Sequence, residues 1–355
     1  GWNLGFATLP AIPAYREVHS DYATFPVSVY DDGGRSPEQS ISKSLEVRLA
    51  NDTPLLDWTA GVYVFQERQH QFTGQFVGEN VGFQQSQVYQ NNRFITTTGA
   101  IFAQGTWHVN DDLRLITGLR YSKEKKSNDA FNFLVFPNTA GGSAARVDCQ
   151  FSKGDCLNDR SKGEVTFNST NWKLGAEYDL TPKNMLFATA STGFKAGGLN
   201  TNSVPGTGFN LVTTAPGLTN GVGKPIPFDP EKLLAFEVGS RNLFFDNRLQ
   251  ANLEGFYTKY RDHQENVQAV VATAQGNRTL GSLQNVGDAT IYGADLDVVA
   301  RLTENYTVRF NAEVLHTTYT KLAFVLSNVV SGFTIGFPTS AGPVARTVAV
   351  DCAGE

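Results

Sequence analysis

Two places in the sequence carry residue types that could do catalytic or metal chemistry. Residues 217–225, GLTNGVGKP, imitate a phosphate-binding loop, but one residue too many precedes Gly-Lys, and Pro225 stands where Ser or Thr is needed. Glu67 and His70 in QERQHQ could meet a metal ion, although a solvated loop is the more ordinary interpretation. No Gly-x-Ser-x-Gly motif is present, and the five histidines are scattered. The sequence therefore predicts no enzyme, no metal site and no cofactor.

The charged residues stand in regular alternation with apolar ones. In DDLRLITGLRYS, residues 111–122, the leucines and Tyr121 alternate with Arg114 and Arg120. Successive side chains of a strand point to opposite faces, so this pattern predicts a strand with one apolar and one charged face. The same pattern recurs in residues 45–49, 58–65, 172–179, 249–260 and 306–314.

The connections between these segments are sorted by length. Short polar turns are predicted at 50–58, 109–113, 179–184, 244–248 and 302–306. Long irregular stretches are predicted at 69–94, 127–166, 196–230, 262–287 and from 320 onward. Short and long connections alternate, so strands that run up and down place all short turns at one end. This arrangement is typical of a transmembrane β-barrel with short periplasmic turns and long extracellular loops.

The barrel interpretation also assigns the two faces. Leu113, Leu115, Leu119 and Tyr121 are expected to face lipid and Arg114 and Arg120 to face the lumen, because an arginine at mid-membrane depth on the lipid face costs about 2–4 kcal/mol. The alternative, a soluble β-sandwich, typically has strands of about five or six residues, whereas several here run ten or more. A β-solenoid is disfavoured because no short fixed repeat recurs.

Composition limits the partners. The chain has 355 residues, 18% of them charged, and a formal net charge of -5 without a basic run, so a nucleic-acid partner is not expected. No apolar run approaches the roughly 18 residues of a membrane helix. The first residues lack the features of a signal peptide.

Several segments, taken in order, resemble TonB-dependent outer-membrane receptors. Residues 41–67 resemble a mid-barrel segment, and residues 178–200 end in Gly-Phe-Lys-Ala-Gly-Gly-Leu-Asn, which is similar to a motif of that family. Residues 228–262 are similar to its Pro-Glu strand and the following Asp-Asn-Arg-Leu turn. Residues 285–308 are similar to its Gly-x-x-x-x-x-Gly-x-Glu strand, with Asp295 in place of Glu.

The resemblance implies an all-β, antiparallel transmembrane barrel of twenty-two strands that encloses a plug domain. About eleven strands can be counted here, from near residues 12–18 to Lys321, so we expect residues 1–355 to be a partial barrel domain without the plug and the C-terminal strands. It also implies energised uptake of a scarce ligand, usually an iron–siderophore complex, through the TonB system. The location would be the outer membrane of a Gram-negative bacterium, with lipid around a monomer.

Candidate ligand contacts lie on the lumenal face and at one strand end. The lumenal arginines Arg120, Arg241 and Arg309 could form a polar path for a ligand, although mixed charges line any water-filled barrel and anchor a plug. Phe194 and Lys195 could touch a ligand at the vestibule. The favoured interpretation of that segment is that Gly193, Gly197 and Gly198 only shape the loop entry. Both interpretations of this segment, ligand contact and shaping of the loop entry, stay open at this point.

Cys149 and Cys156, in CQFSKGDC, form the loop cysteine pair. Both fall in one predicted extracellular loop, where thiols oxidise, so a small disulfide ring is expected to stabilise the loop by up to about 2–3 kcal/mol. A zinc site is disfavoured because no His lies near and the spacing does not fit. Cys352, the third cysteine of the sequence, is left without a partner.

Two other functions remain open besides energised uptake. One is a passive porin or channel, and the other is an adhesive barrel whose loops bind other surfaces. The predicted loops contain many aromatic residues, which could either grip an apolar or aromatic ligand or pack on one another. The sequence favours both interpretations equally. These residues are Phe72, Phe76, Phe83, Tyr89, Phe131, Phe133, Phe136 and Phe209.

Overall fold

The computed structural model describes residues 1–24, 31–77, 86–135, 156–203, 222–223, 225–273, 276–322 and 333–334. Within these residues no helix is long and apolar enough to cross a membrane. The strands there are β1 (Trp2–Asn3), β2 (Thr8–Leu9), β3 (Ala11–Thr24), β4 (Asp31–Asp52), β5 (Leu56–Val77), β6 (Ser86–His108), β7 (Leu113–Val135), β8 (Cys156–Thr181), β9 (Asn184–Lys195), β10 (Gly198–Ser203), β11 (Val222–Gly223), β12 (Pro225–Phe228), β13 (Glu231–Phe244), β14 (Leu249–Thr273), β15 (Gly276–Arg301), β16 (Thr307–Leu322) and β17 (Phe333–Thr334).

Eleven long strands form one continuous antiparallel wall in the described part of the chain. They are β3 to β9 followed by β13 to β16, and each pairs with the next in chain order. The short strands β1, β2, β11 and β17 extend the same sheet, and β10 pairs with β12 in a separate two-stranded sheet. The predicted fold class, an all-β antiparallel sheet of about eleven barrel strands, is confirmed.

The short turns lie together at one end of the wall, here called the turn end; the opposite end is the loop end. Side chains close several of these turns: Asn110 Oδ1 accepts hydrogen bonds from the backbone N–H groups of Asp112 and Leu113, at 3.0 and 2.8 Å. In the turn between β13 and β14, Phe245, Asp246 and Asn247 all adopt positive φ values, of 53°, 54° and 65°. The Asp and Asn that predicted this turn are the residue types that tolerate that conformation best after Gly.

The strands extend further toward the loop end than the sequence predicted. The expectation of an irregular stretch over 262–287 is wrong: β14 and β15 stay paired from His263 and Gly287 to Thr273 and Gly276. Much of the stretches 69–94 and 127–166 is likewise strand. Period-two alternation is expected only where one face of a strand is apolar and the other polar, so its absence did not exclude strands here.

The wall has two chemically different faces. In the β7–β8 register Arg114 lies opposite Glu177 and Leu115 opposite Ala176, so the arginine and leucine rows point to opposite sides, as predicted. The face of Leu115, Leu119 and Tyr121 is called the outer face, and the face of Arg114 and Arg120 the inner face. Large apolar side chains of the outer face are exposed, with Leu119 at 57% and Val238 at 62%, whereas the inner Phe187 is only 9% exposed. This difference in exposure agrees with a curved wall that has the charged face inside.

Candidate functional site

Two inner-face arginines are held over aromatic rings. The guanidinium carbon of Arg120 lies 5.5 Å from the ring centroid of Tyr63 and 5.6 Å from that of Phe102. Arg241 lies 5.3 Å from the ring centroid of Phe187. Such cation–π contacts orient the guanidinium group and leave its in-plane N–H groups free to point at acceptors. Arg120 also donates from Nε to Ser122 Oγ at 3.1 Å.

The aromatic rings themselves are seated on glycines of the neighbouring strand. A Cβ atom at Gly61 would lie 2.8 Å from Phe102 Cζ, and one at Gly239 would lie 2.6 Å from Phe187 Cζ. Both distances are too short for a real side chain, so only Gly lets the ring lie flat against the sheet. Arg120 and Arg241 therefore each lie over a ring, Phe102 or Phe187, that itself packs on a glycine.

The three predicted arginines are not brought together. Arg120 is on β7 and Arg241 on β13, three strands further along the wall, and Arg309 is on β16, three strands further again. Adjacent strands are about 4.8 Å apart, so consecutive members of this set are separated by roughly 14 Å across the sheet. Arg309 is on the inner face opposite Val299 and is exposed. These cations line a path and do not form a single pocket.

The inner face also carries a tight ion cluster near the turn end. Arg114 donates from Nη1 and Nη2 to the two carboxylate oxygens of Asp179 at 2.6 and 3.0 Å, and from Nε to Glu177 at 2.9 Å. All three side chains are between 21% and 27% exposed. The bidentate geometry joins β7 to β8 and uses the charges of Arg114 internally, so this arginine is a structural tie.

An acidic row faces the interior between β14 and β16. Glu254, Asp295 and Glu313 lie directly opposite one another in the register of three adjacent strands. The inner face of these three strands thus carries a row of carboxylates, with Arg309 four residues from Glu313 on β16.

The loop end of β9, β13 and β14 holds a buried network around Glu231, called the rim network. Glu231 is only 2% exposed, and its carboxylate accepts hydrogen bonds from Tyr260 Oη at 2.5 Å and from the backbone N–H of Gln264 at 2.6 Å. Lys195 Nζ lies 3.2 Å from the same carboxylate. Gln264 in turn donates to the carbonyls of Ala196 and Asp229. Three chain segments, the loop ends of β9, β13 and β14, are therefore joined around one carboxylate.

The rim network lies beyond the apolar belt of the outer face, level with the exposed Lys232. Burial raises the pKa of Glu231, but the hydrogen bonds from Tyr260 and Gln264 and the charge of Lys195 outweigh burial and hold that pKa below its ordinary value. Burial and the hydrogen bond to Glu231 raise the pKa of Tyr260 to about 12. The tyrosine hydroxyl thus stays a donor and the carboxylate stays charged near neutral pH.

A second set of amide side chains ties the loop end to β15. Asn285 Oδ1 accepts from the backbone N–H of Asp229 at 2.7 Å, and its Nδ2 donates to the carbonyls of Asp229 and Asp262. Asn200, the last residue of the Gly-Phe-Lys-Ala-Gly-Gly-Leu-Asn segment, exchanges two hydrogen bonds with the backbone of Leu283. These amides substitute for ladder hydrogen bonds where the strands diverge.

The glycines of that segment shape the loop entry. A Cβ at Gly197 would overlap the carbonyl oxygen of Phe228, and one at Gly198 would overlap the Phe228 ring. Gly193 has more room, with its nearest neighbour, Leu233 Cβ, at 3.4 Å. The close packing at Gly197 and Gly198 supports the shaping role.

The structure separates Phe194 from Lys195. Lys195 lies opposite Glu231 on the inner face, whereas Phe194 lies opposite Lys232 on the outer face. Neighbouring strand residues point to opposite sides, so the two side chains do not share a face, and contact of either with a ligand stays a prediction. The alternation of side chains along a strand predicts these opposite faces from the sequence alone.

The other candidates do not form a site within the described residues. Glu67 lies opposite Thr96 on the inner face, and His70 lies opposite Arg93 on the outer face, so the two cannot share a metal ion. Both lie in β5 and not in a loop. No group of three metal-ligating side chains occurs in the described part of the chain. The loop cysteine pair falls outside the residues whose side chains the structure describes, and it stays a prediction.

This combination of a two-faced antiparallel wall, sorted turns and a tied loop end agrees with comparisons to known proteins. A family model described as "TonB dependent receptor-like, beta-barrel" matches residues 1–343. The chain belongs to the TonB-dependent receptor β-barrel family. This family consists of transport receptors and not of enzymes, which confirms the expectation from the failed catalytic motifs.

Individual relatives agree with the family. The pesticin receptor of Yersinia pestis is 26% identical over 223 residues, which are 63% of this chain and 26% of that protein. The crystal structure of the ferric yersiniabactin uptake receptor FyuA from Yersinia pestis matches with a TM-score of 0.65 and 19% identity, over 90% of this chain and 41% of that one. The ferric-catecholate import receptor Fiu from E. coli K12, in its closed form, matches with a TM-score of 0.57 and 17% identity, over 92% and 47%.

The solved structures show the shared fold only. A copper transporter, OprC, matches with a TM-score of 0.57 at 14% identity, so receptors with different cargoes share this wall. The chain spans about a quarter of the length of the pesticin receptor and less than half of each of these three solved chains.

Proposed function

We propose that this chain forms part of the wall of an outer-membrane receptor that imports a ferric siderophore with energy from the TonB system. The observation that carries the proposal is the family match over residues 1–343. The fold shared with the ferric yersiniabactin and ferric-catecholate receptors supports it. The location proposed is the outer membrane of a Gram-negative bacterium, where this family resides.

The charge pattern of the inner face supports passage of an anionic or mixed-charge cargo. Arg120 and Arg241 are oriented by aromatic rings, and Arg309 is exposed on the same face. Guanidinium groups bind carboxylate, phenolate or phosphate oxygens through charge-assisted hydrogen bonds. We propose that these three arginines contact the cargo in sequence. Lys195 is bound to Glu231 and acts mainly in the rim network.

The proposal also includes the rest of the receptor. In the described residues β3 pairs only with β4, and β16 only with β15, so each presents a free backbone edge. Unpaired backbone groups facing lipid cost several kcal/mol each, which favours closure by further strands. We propose that these strands and a plug domain that contacts TonB belong to the same monomeric protein.

Uptake of radioactive iron by cells tests the proposal. A strain deleted for the full-length gene would be complemented with the wild-type gene, grown under iron limitation and given a panel of ferric siderophores. Uptake of at least one complex is expected with the gene, and is expected to disappear when TonB is deleted. Uptake that persists without TonB would indicate a passive channel. Surface adhesion with no uptake of any complex would indicate an adhesive barrel.

A matched pair of variants tests the arginine path. Arg309→Gln removes an exposed inner-face cation, and Arg248→Gln removes an exposed cation in the turn between β13 and β14. Uptake is expected to fall in the first variant and to stay at the wild-type rate in the second. Equal uptake by both variants would remove Arg309 from the path without affecting the family assignment.

A further inference from the structure

Three cations gather on the outer face at the loop end of β13 and β14. Lys232 lies directly opposite Arg261 in the register, and Lys259 is two residues before Arg261 on the same strand. Residues two apart on a strand share a face and are separated by about 7 Å. All three side chains are exposed. They are called the outer cation cluster.

No carboxylate neutralises the outer cation cluster within the described residues. None of its three members has an ion-pair partner there, whereas Lys125, on the outer face of β7, pairs with Glu164 at 2.7 Å. Three cations that repel one another at this spacing raise the free energy of the folded wall unless an anion lies between them. The cluster is therefore complementary to a polyanion.

The position of the cluster relative to the apolar belt sets the kind of anion. Directly below it on the outer face lie Leu234, Phe236, Val238 and Tyr257, of which Phe236 and Val238 are 44% and 62% exposed. Lys or Arg on a lipid-facing surface costs about 2–4 kcal/mol at the midplane but only about 0–1 kcal/mol near the interface. The outer cation cluster thus lies at the level of lipid headgroups.

Two adjoining grooves make this part of the outer face different from a plain charged rim. The upper groove, of about 480 Å³, is lined by the cluster together with Phe194, Trp172 and Thr170. The lower groove, of about 670 Å³, lies within the apolar belt. Its outer-face lining is Leu174, Ala188, Ala190, Phe236, Val238 and Tyr257. Two alanines between large side chains leave a depression in which an acyl chain can lie.

We propose that this surface binds a phosphorylated, acylated lipid of the outer leaflet, with phosphate on the outer cation cluster and one acyl chain in the lower groove. A polar head above and an apolar chain below match the order of the two grooves. A free phosphate would use only the upper groove and leave the lower one unexplained. The inference goes beyond uptake and rests only on the proposed outer-membrane location, since the site is on the opposite face from the proposed cargo path.

Native mass spectrometry of the full-length protein in detergent, with lipid A as the probe, tests the proposal. The variant K232Q/K259Q/R261Q removes the cluster. The control K183Q/R248Q/R301Q removes the same number of charges from exposed positions at the turn end. Wild type and control are expected to retain lipid A equally, and the cluster variant to bind it at least about tenfold more weakly, equivalent to about 1.4 kcal/mol. Equal binding by all three proteins would overturn the proposal.

Further probes separate the phosphate from the acyl chain. Dephosphorylated lipid A is expected to bind wild type as weakly as lipid A binds the cluster variant. The soluble phosphorylated disaccharide without acyl chains is expected to bind more weakly than lipid A. The variant Ala190→Phe, which fills the lower groove, is expected to lower affinity for lipid A but not for the disaccharide. Full-strength binding of the disaccharide would reduce the site to a phosphate site and overturn the lipid assignment.

Discussion

A single added methyl group at Gly239 should destabilise the wall through the ring that lies over it. In Gly239→Ala the new Cβ would meet Leu253 O at 2.5 Å and Phe187 Cζ at 2.6 Å. The ring cannot simply swing away, because Phe187 is 9% exposed and carries the guanidinium group of Arg241 at 5.3 Å. Overpacking of this kind costs about 1–3 kcal/mol. Displacing the guanidinium group from the ring adds about 0.5–1 kcal/mol.

Gly255 provides the matched control on the next strand. A Cβ there would have its nearest neighbours, Gly293 O and Val238 O, at 3.8 and 4.0 Å. Gly255→Ala therefore adds the same methyl group without a clash. It should be neutral or stabilise by a few tenths of a kcal/mol, because Gly is the less favourable residue in a strand by roughly 0.5–1 kcal/mol.

The free energy of unfolding would be measured for the full-length protein in lipid vesicles, from the urea dependence of the folded and unfolded bands on gels. Gly239→Ala is expected to lose about 1.5–4 kcal/mol relative to wild type, the sum of the two terms above. Gly239→Ala should cost less in a Phe187→Ala background than in wild type, because one of the two clashes is gone. If the Gly239 and Gly255 variants unfold at the same urea concentration, the ring–glycine contact does not stabilise the wall.

Three further predictions concern ion pairs and thiols. Glu231→Gln should destabilise the protein by about 1–3 kcal/mol at pH 7. Because the folded pKa of Glu231 is lowered, that stabilisation is present above its unfolded pKa of about 4.3 and is lost as pH falls through the folded pKa, so unfolding curves of variant and wild type should converge in acid. Arg114→Gln should cost about 1–3 kcal/mol, whereas Lys125→Gln, which breaks an exposed pair, should cost less than about 1 kcal/mol in the same assay. The loop cysteine pair should resist alkylation until a reductant is added, and labelling without reductant would show that the ring is not formed.

Much of the wall could be predicted because lipid and water impose a strict rule on each strand residue. Where one face must be apolar and the other polar, as in residues 113–121, alternation gives the strand, its faces and its turn together. The predicted turn at 244–248 is also a local property, since it depends on Asp246 and Asn247 themselves. Beyond the lipid-facing part of the wall, strand residues need not alternate. Alternation therefore does not predict how far β14 and β15 extend.

The rim network was not predictable, because it depends on register between distant segments. Tyr260 and Gln264 reach Glu231 only because the β14–β15 pairing shifts between Tyr260 and His263, where Asp262 has a φ of 57°. No pattern in the sequence gives that shift. The outer cation cluster did leave a signal: Lys259 and Arg261 interrupt the apolar stripe that begins at Leu249, which marks the position where the lipid-facing surface ends.

The paired extension of β14 and β15 affects which part of the protein other molecules would contact first at the cell surface. From Gln264 to Thr273 the hairpin continues for roughly 30 Å at about 3.3 Å per residue. In the proposed orientation this arm stands above the headgroup layer, so antibodies and phage tail proteins would meet it before the rest of the barrel. Substitutions in the arm are therefore expected to change such recognition more than substitutions in the amide-tied base around Asn285.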